Sequence, residues 1–455
     1  MNRRIPVAIT IAGSDSGGGA GIEADLKTFA ALGVHGTVAI TSVTAQNTYE
    51  VTAIHDIPPE IVYKQIEAIA VDMGIDAGKT GMLSNSEIIR AVAKAVRNFG
   101  FPLVVDPVMI AKSGAKLLRD EAIETLIKEL LPLAKVVTPN APEATRLTGI
   151  HVRDLDTAKQ AARKLVEEYS VEAAIVKGGH ISGDESVDVM YWNGNYYYFR
   201  APRIRGGCTH GTGCSFSAAI AAGLAKRLDI YNAVKIAKEL ITVAIDYGLR
   251  IGKGHCPVNP MAWLYLPAYR YEVINELSYA VKEIMSISDR IYEYVPEVGM
   301  NIVMSLPYPY TRNINDVAGV KGRIVKYGST IKPVGPIEFG ASSHMARLVL
   351  EAMKYDHTIR SALNLRYSKE LVEKAEKAGL RVVFIDRRDE PAEIKRIEGG
   401  TMQWLVKKAV ELTGGQVPDV IYDVGDLGKE PMFRVLGKSA IEVVEKVKKI
   451  IGYTR

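Results

Sequence analysis

The sequence predicts an α/β protein in two parts. The first is a three-layer α/β/α unit with a mostly parallel sheet, and the second is a separate, smaller α/β unit. Three observations carry this reading. Short apolar runs alternate with amphipathic stretches from the start to about residue 260, the pattern of a parallel sheet covered on both faces. The alternation loosens across "GKGHCPVNPMAWLYLPAYR" (252–270), which holds three prolines. It then resumes and runs to the end. The expected division is 1–262 and 271–455, with 252–270 as the linker.

Composition agrees. A chain of 455 residues exceeds one ordinary domain, and 47% hydrophobic with 24% charged residues provides ample core. A formal charge of +5 is mild; it argues against a nucleic-acid surface and suits small anionic substrates. No apolar stretch reaches 18 residues, so no membrane partner is expected. The N-terminal apolar run stops at Gly13 and reads as a buried strand, not a signal peptide. The three cysteines, Cys208, Cys214 and Cys256, are odd in number and irregularly spaced. They predict neither a disulfide framework nor a metal knuckle, and hence a reducing, cytoplasmic setting.

In chain order, the strand candidates of the first unit are 6–12, 36–45, 77–83, 102–109, 135–140 and 172–180, each a short apolar run. Between them, "PPEIVYKQIEAIAVDM" and "NSEIIRAVAKAVRNFG" carry helical periodicity. "DVMYWNGNYYYFRAPRI" (188–204) sets Asn193-Gly194 between alternating aromatics, a hairpin signal. The second unit reads as helix 271–286, strands near 299–305 and 322–327, helix 343–355, strand 359–366, helix 368–378 and strand 381–386. Helix 401–412, strands near 419–422 and 432–436, and helix 438–450 complete it.

Polar residues gather where the first unit's strands end, the edge at which parallel sheets bind ligands. "AGSDSGGGAGIEADLKT" (12–28) is a glycine-rich turn leading into a helix that contains Asp25. In "TAQNT", Gln46 and Asn47 offer donors and acceptors suited to a nitrogen heterocycle, or serve as turn amides bonding their own backbone. "VVDPVM" ends a strand at Asp106, a site for Mg²⁺ through water; "VTPNAPEA" supplies Asn140 and Glu143, and "VKGGH" supplies Lys177. Each alone could be a solvated polar residue. "GGCTHGTGCSFSAAIAAGLAKR" (206–227) places Cys214 where a helix begins. A helix N-terminus binds anions and lowers a thiol's pKa, so Cys214 is either a reactive thiolate or a small residue packed beside Gly213. Together these groups supply an anion hole, a cation-holding carboxylate and a phosphate lysine, the parts that phosphoryl transfer needs.

These stretches, with "KTGML" and "HGTGC", resemble the hydroxymethylpyrimidine/phosphomethylpyrimidine kinases over about 5–262. The resemblance implies a ribokinase-like fold, a homodimer, ATP and Mg²⁺, and phosphorylation of 4-amino-5-hydroxymethyl-2-methylpyrimidine to its mono- and then diphosphate. It also implies site residues. Gln46, Gly13, Asp25 and Met82 would bind the aminopyrimidine; Asp106, Asn140 and Glu143 would serve Mg²⁺ and phosphates. Lys177 and Thr212 would face the nucleotide, Gly211 and Gly213 would cradle the transferring group, and Cys214 would be the base.

In the second unit, "KGRIVKYGS" holds Arg323, while "FGASSHMARL" begins a helix at Ser342-Ser343 with His344 in its first turn. Gly399, Gly400 and Thr401 precede another helix; capped helix N-termini are either candidate anion sites or ordinary caps that bind nothing, and the same two readings apply to His344. "DVIYDVGDLGKEPMFRVLG" crowds charges into a glycine-rich turn. These stretches resemble the archaeal-type thiamine-phosphate synthase domain over about 271–455. That implies joining of the pyrimidine diphosphate to a thiazole phosphate, with Arg323 and His344 at the active site and phosphate contacts from Ser342, Ser343, Gly399, Gly400 and Thr401. Two alternatives remain: a kinase with a thiamine-phosphate-sensing second unit, and a pyridoxal kinase of the same fold.

Overall fold

The structure is a computed structural model that describes residues 5–110, 114, 117–180, 183–396, 399–426 and 428–453. It separates into two compact units, 1–265 and 266–455, and the division falls inside one long helix, Ala262–Ser286, just before Pro267. That helix begins about nine residues before the expected 271; "AWLYLPAYR" is helical where the sequence suggests a linker.

Unit 1 is built on nine strands: β1 (Val7–Asp15), β2 (His35–Gln46), β3 (Val51–Asp56), β4 (Ala77–Thr80), β5 (Leu103–Val105), β6 (Val136–Val137), β7 (Ala173–Val176), β8 (Glu185–Trp192) and β9 (Asn195–Pro202). Their order is β3-β2-β1-β4-β5-β6-β7-β8-β9. Across that order the six strands from β2 to β7 pair in parallel, with an antiparallel strand or hairpin at each edge. The central strands are buried on both faces, which is why they read as continuous apolar runs. One core packs the helix Ser86–Phe99 against one face. On the other face the helix Thr212–Ala225 is buried from Ser215 to Ala225, so it has no polar side to show. Asn193 and Gly194 both take positive φ, 49° and 74°, as a two-residue hairpin turn requires. The expected strands 77–83 and 102–109 stop at Thr80 and Val105. Gly81, Met82 and Asp106 then leave the sheet and line a cavity at the strand ends.

Unit 2 has a sheet of seven strands: β10 (Ile302–Ser305), β11 (Val317–Val320), β14 (Ile337–Phe339), β15 (Ser361–Arg366), β16 (Val382–Phe384), β17 (Val420–Asp423) and β18 (Met432–Gly437). Their order is β14-β11-β10-β15-β18-β17-β16. A separate hairpin of β12 (Ile324–Tyr327) and β13 (Thr330–Pro333) lies outside it. Among the described residues of this sheet only β16 and β17 pair in parallel. Helices Ser343–Tyr355 and Gly400–Leu412 pack on one face through Leu348, Val349, Leu405 and Val406. Among the described residues no helix is long and apolar enough to cross a membrane.

The expectation of no disulfide is corrected: Cys208 and Cys256 are bonded, with Cα atoms 4.9 Å apart. They lie 48 residues apart in sequence, but a backbone bridge between His210 and Pro257 brings them together. Only Cys214 is free.

Candidate functional site

The strand ends of unit 1 open on a cavity of about 830 Å³. Gly13, Gln46, Met82, Asp106, Asn140, Glu143, Lys177, Gly211, Thr212, Gly213 and Cys214 all line it. Asp25 does not. It is fully buried beneath the floor, where one carboxylate oxygen accepts from Thr10 Oγ1 (2.6 Å) and Lys79 Nζ (2.7 Å) and the other has no partner. Asp25 sits in the first turns of the helix Gly21–Ala31, whose apolar neighbours seal it. A direct contact between Asp25 and substrate is therefore not what this structure presents; the residue that reaches the cavity is its partner Lys79.

Cys214 stands in the first turn of the helix Thr212–Ala225, and the Gly21 amide, at the start of a second helix, favours its thiolate. Two helix N-termini thus act on this thiol. Helix position alone predicts a thiolate, and the structure corrects that expectation. Burial, reinforced by the carboxylates of Asp25 and Asp106, pushes the Cys214 thiol up to about 11 against the opposing pull of Lys79. Desolvation exceeds the helix-terminus effect, so Cys214 rests as a thiol. Burial also disfavours the Lys79 ammonium, yet the carboxylates of Asp25 and Asp106 outweigh it and hold the lysine charged.

Asp106 and Lys177 form an ion pair at 2.9 Å, with Thr138 donating to Asp106 at 3.3 Å and Ser217 at 3.5 Å. Gly213 lies directly over this pair; a Cβ there would sit 3.3 Å from both Asp106 Oδ2 and Lys177 Nζ. Gly211 starts the turn at φ +81°, and a Cβ would lie 1.9 Å from the Gly19 carbonyl oxygen. Only glycine fits. Asn140 and Glu143 owe their spacing to a capping box: Asn140 Oδ1 accepts from the Glu143 amide (2.9 Å) and Glu143 Oε2 from the Asn140 amide (2.8 Å). Burial, with Asp106 adding and Lys177 opposing, raises Glu143 to about 7. Two buried carboxylates beside one ammonium form a donor set that suits a hydrated divalent cation. Among the described residues no three His, Cys, Asp or Glu side chains are grouped to hold a metal alone, so nucleotide phosphates and water would complete its shell.

Sequence reasoning passes over Asp15, His210 and Lys79, although each lies inside a motif that carries the resemblance. Asp15 accepts from the amides of Gly17, Gly19 and Ala20 and faces His210 Nε2 at 3.1 Å, tying the glycine-rich turn to the Thr209–Gly213 loop. Burial works against the Asp15 carboxylate, but the His210 and backbone hydrogen bonds hold it below the usual range. For Asn47 the turn reading holds, since its side chain accepts from the amides of Tyr49 and Glu50.

In unit 2 the picture is more dispersed. Arg323 comes shortly after β11 at positive φ (+72°), exposed, and donates to the Val298 carbonyl. β14 runs antiparallel to β11, and the Gly340 amide bonds to the Val317 carbonyl before the chain enters the helix Ser343–Tyr355. Arg323 and His344 therefore leave opposite ends of a strand pair whose length is roughly 10 Å at 3.3 Å per residue. The expected Ser342 cap is absent: its side chain makes no capping hydrogen bond. Gly399, at φ +80°, has the Arg347 guanidinium against its Cα, and Thr401 Oγ1 is committed to Glu390 at 2.5 Å. Behind it lies a buried charge cluster of Arg387, Glu390, Asp423 and Arg434, with Arg434 and Asp423 2.7 Å apart.

Comparison with known proteins fits this geometry. Residues 15–259 match the phosphomethylpyrimidine kinase family, and residues 276–449 match thiamine-phosphate synthase ThiN. The hydroxymethylpyrimidine/phosphomethylpyrimidine kinase of Haemophilus influenzae is 50% identical over 261 residues, covering 56% of this chain and 96% of that protein. A Geobacter sulfurreducens thiamine biosynthesis bifunctional protein, ThiED, is 45% identical over 264 residues, 57% of this chain but only 54% of its own length. Among solved structures, a Bacillus subtilis pyridoxal kinase in complex with ADP is 36% identical with a TM-score of 0.54, covering 58% of this chain and all of that one. A Staphylococcus aureus pyridoxal kinase bound to AMP-PCP and pyridoxal is 34% identical with a TM-score of 0.53, covering 57% and 95%. Unit 1 is thus ribokinase-like, and the chain belongs to the phosphomethylpyrimidine kinase family, with a thiamine-phosphate synthase ThiN domain in its C-terminal part.

Proposed function

We propose that unit 1 transfers phosphate from ATP to 4-amino-5-hydroxymethyl-2-methylpyrimidine and then to its monophosphate, and that unit 2 joins the diphosphate to hydroxyethylthiazole phosphate. The observation that carries the kinase half is the convergence of Lys177, Asp106, Glu143 and the Thr212–Ala225 helix start on one cavity with Cys214 and Gln46. Gln46 reads the pyrimidine ring beside Gly13 and Met82. Lys177 and Thr212 face the nucleotide phosphates, and the amides of Gly211 and Gly213 receive charge developing on the transferring group. Asp106 and Glu143, with Asn140 alongside, would hold Mg²⁺, which neutralises phosphate charge when bound. The minor thiolate form of Cys214, which the Lys79 ammonium favours, accepts the alcohol proton in the first transfer and becomes a thiol. The second transfer needs no such base, because its nucleophile is an already ionised phosphate oxygen.

In the synthase half, loss of pyrophosphate leaves a cation-like CH₂ that the thiazole nitrogen captures, so the protein's task is to hold two phosphate-bearing ends. The separation of Arg323 from His344 fits one group for each end, with Ser342, Ser343, Gly399 and Gly400 as further contacts. A homodimer belongs to this reading. β3 is an edge strand, and it and its neighbourhood expose Val43, Tyr49 and Ile54.

A second reading, a pyridoxal kinase, draws support from the two pyridoxal kinase structures above. Offering the purified chain equal concentrations of the pyrimidine alcohol and pyridoxal with ATP and Mg²⁺ separates the two. The proposal expects pyrimidine mono- and diphosphate to dominate; pyridoxal phosphate as the main product would replace it.

A further inference from the structure

The Cys208–Cys256 bond joins two loops that the kinase reading assigns to different ends of the substrate. Cys208 immediately precedes the Thr209–Gly213 turn that leads into Cys214. Cys256 closes the segment 252–256, and that segment is fastened to Thr48: the Gly254 amide donates to Thr48 Oγ1 (3.1 Å) and the His255 amide to the Thr48 carbonyl (2.7 Å). Thr48 stands two residues after Gln46. A continuous path therefore runs from the loop that reads the ring, through 252–256, across the disulfide, to the turn that receives phosphate.

A second, non-covalent route joins the same loops: the Gln46 amide donates to Ser16 Oγ (2.8 Å), and neighbouring Asp15 faces His210 (3.1 Å). Along 252–256 itself the other ties are few. The His210 amide donates to the Cys256 carbonyl (3.2 Å) and the Val258 amide to the His210 carbonyl (3.0 Å). Residues 250–255 are exposed, with glycine at 252 and 254, so little apolar burial orders them. The bonded pair is built in tightly on its other side. Cys208 is buried, and a Cβ at Gly248 would lie 2.3 Å from Cys208 Cβ.

We propose that the Cys208–Cys256 disulfide is a positioning bond for phosphoryl transfer, holding the ring-reading loop and the anion-binding turn at a fixed separation. This rests on the kinase reading above. A dithiol reduces the bond by exchange: two thiols appear on Cys208 and Cys256 while the reductant becomes its own disulfide. The reduced chain keeps its backbone bridges but loses the covalent link, so the alcohol is held less well against the turn. The effect falls mainly on KM, because the turn stays fixed by Asp15–His210 and by the close Gly211–Gly19 approach, while the exposed 252–256 segment and the ring-reading loop loosen.

The test uses the full chain equilibrated with oxidised or reduced dithiothreitol, beside Cys208→Ser/Cys256→Ser, which keeps Cys214. Free thiols, melting temperature, and KM and kcat for the pyrimidine alcohol are measured well below the melting temperature of the reduced form. The oxidised protein should show one free thiol and the reduced protein three. The reduced protein and the double variant should share a KM raised about three- to tenfold, with kcat within about twofold, and the variant should ignore dithiothreitol. A lowered melting temperature with unchanged KM would make the bond a staple only and overturn the proposal, leaving the kinase reading intact. Three free thiols under oxidising conditions would overturn it as well. Absence of pyrimidine phosphorylation in every state would sink the kinase reading, and the proposal with it.

Discussion

Replacing Cys214 by alanine should split the two phosphorylations. With its thiol raised to about 11, Cys214 is ionised in about one molecule in 10³ to 10⁴ near pH 7.5. That is a weak reservoir of base, but the alcohol substrate has a still higher pKa and must lose its proton as the new bond forms. Removing a general base costs about 10² to 10⁴ in rate. The monophosphate needs no deprotonation, since a phosphate's second pKa is near 6. Cys214→Ala should therefore slow conversion of the alcohol by about a hundredfold or more, and change conversion of the monophosphate by less than about threefold. The assay supplies each pyrimidine separately with ATP and Mg²⁺ and follows product in a single turnover. In the wild type, the first step should also climb steeply with pH from 7 toward 9, because the acting thiolate becomes commoner; the second should rise by no more than about twofold, as Glu143 completes its ionisation. Equal losses in both steps would make Cys214 a packing or binding residue. A flat profile for the first step would equally refute the reasoning.

Glu143→Gln should stabilise the protein while impairing the kinase. Its folded pKa is raised from 4.5 to about 7, so across that window the native chain holds a proton that the unfolded chain has released, and stability falls as pH rises. Glutamine keeps the capping box and removes the penalty, about 3 kcal/mol well above pH 7; calorimetry should find a higher melting temperature at pH 8 and little change near pH 4.5. Lys79→Met leaves the Asp25 carboxylate buried without a counter-charge, a loss of about 3–5 kcal/mol that Lys79→Met/Asp25→Asn should largely recover in urea titrations. Cys208→Ser/Cys256→Ser opens a 48-residue loop and should lower unfolding free energy by about 4 kcal/mol, as should reduction of the wild type.

Much of this is legible in the sequence, for identifiable reasons. The helix Ser86–Phe99 announces both ends: Asn85 accepts from two amides, and Gly100 takes the left-handed φ of +65°. The kinase site is readable because parallel strands deliver their C-terminal residues to one edge, whatever the details of packing. Other features depend on partners that a one-dimensional reading does not see. β3 is an exposed edge strand, so it lacks the apolar run that marks its neighbours. β11, "VAGV", is too short to show a period, and nothing in its composition says that it pairs antiparallel. The disulfide joins cysteines that only the His210–Pro257 bridge brings together. Two further signals are present in the letters. A lysine inside the buried run "AGKTGML" demands a buried counter-charge, and "NAPE" before a helix spells a capping box with proline in its first turn. Cys214 shows the opposite limit: its place at a helix start is plain from the sequence, but burial decides its protonation state.

The central claim is that one chain carries two active sites acting in sequence. Its most direct test combines the full-length protein with the pyrimidine alcohol, ATP, Mg²⁺ and hydroxyethylthiazole phosphate, and detects thiamine phosphate itself, beside His344→Ala. The account predicts thiamine phosphate from the wild type, and pyrimidine diphosphate accumulating without thiamine phosphate in His344→Ala. Pyrimidine diphosphate accumulating in the wild type, with no thiamine phosphate formed, would contradict it and leave unit 2 as a sensor of its ligand.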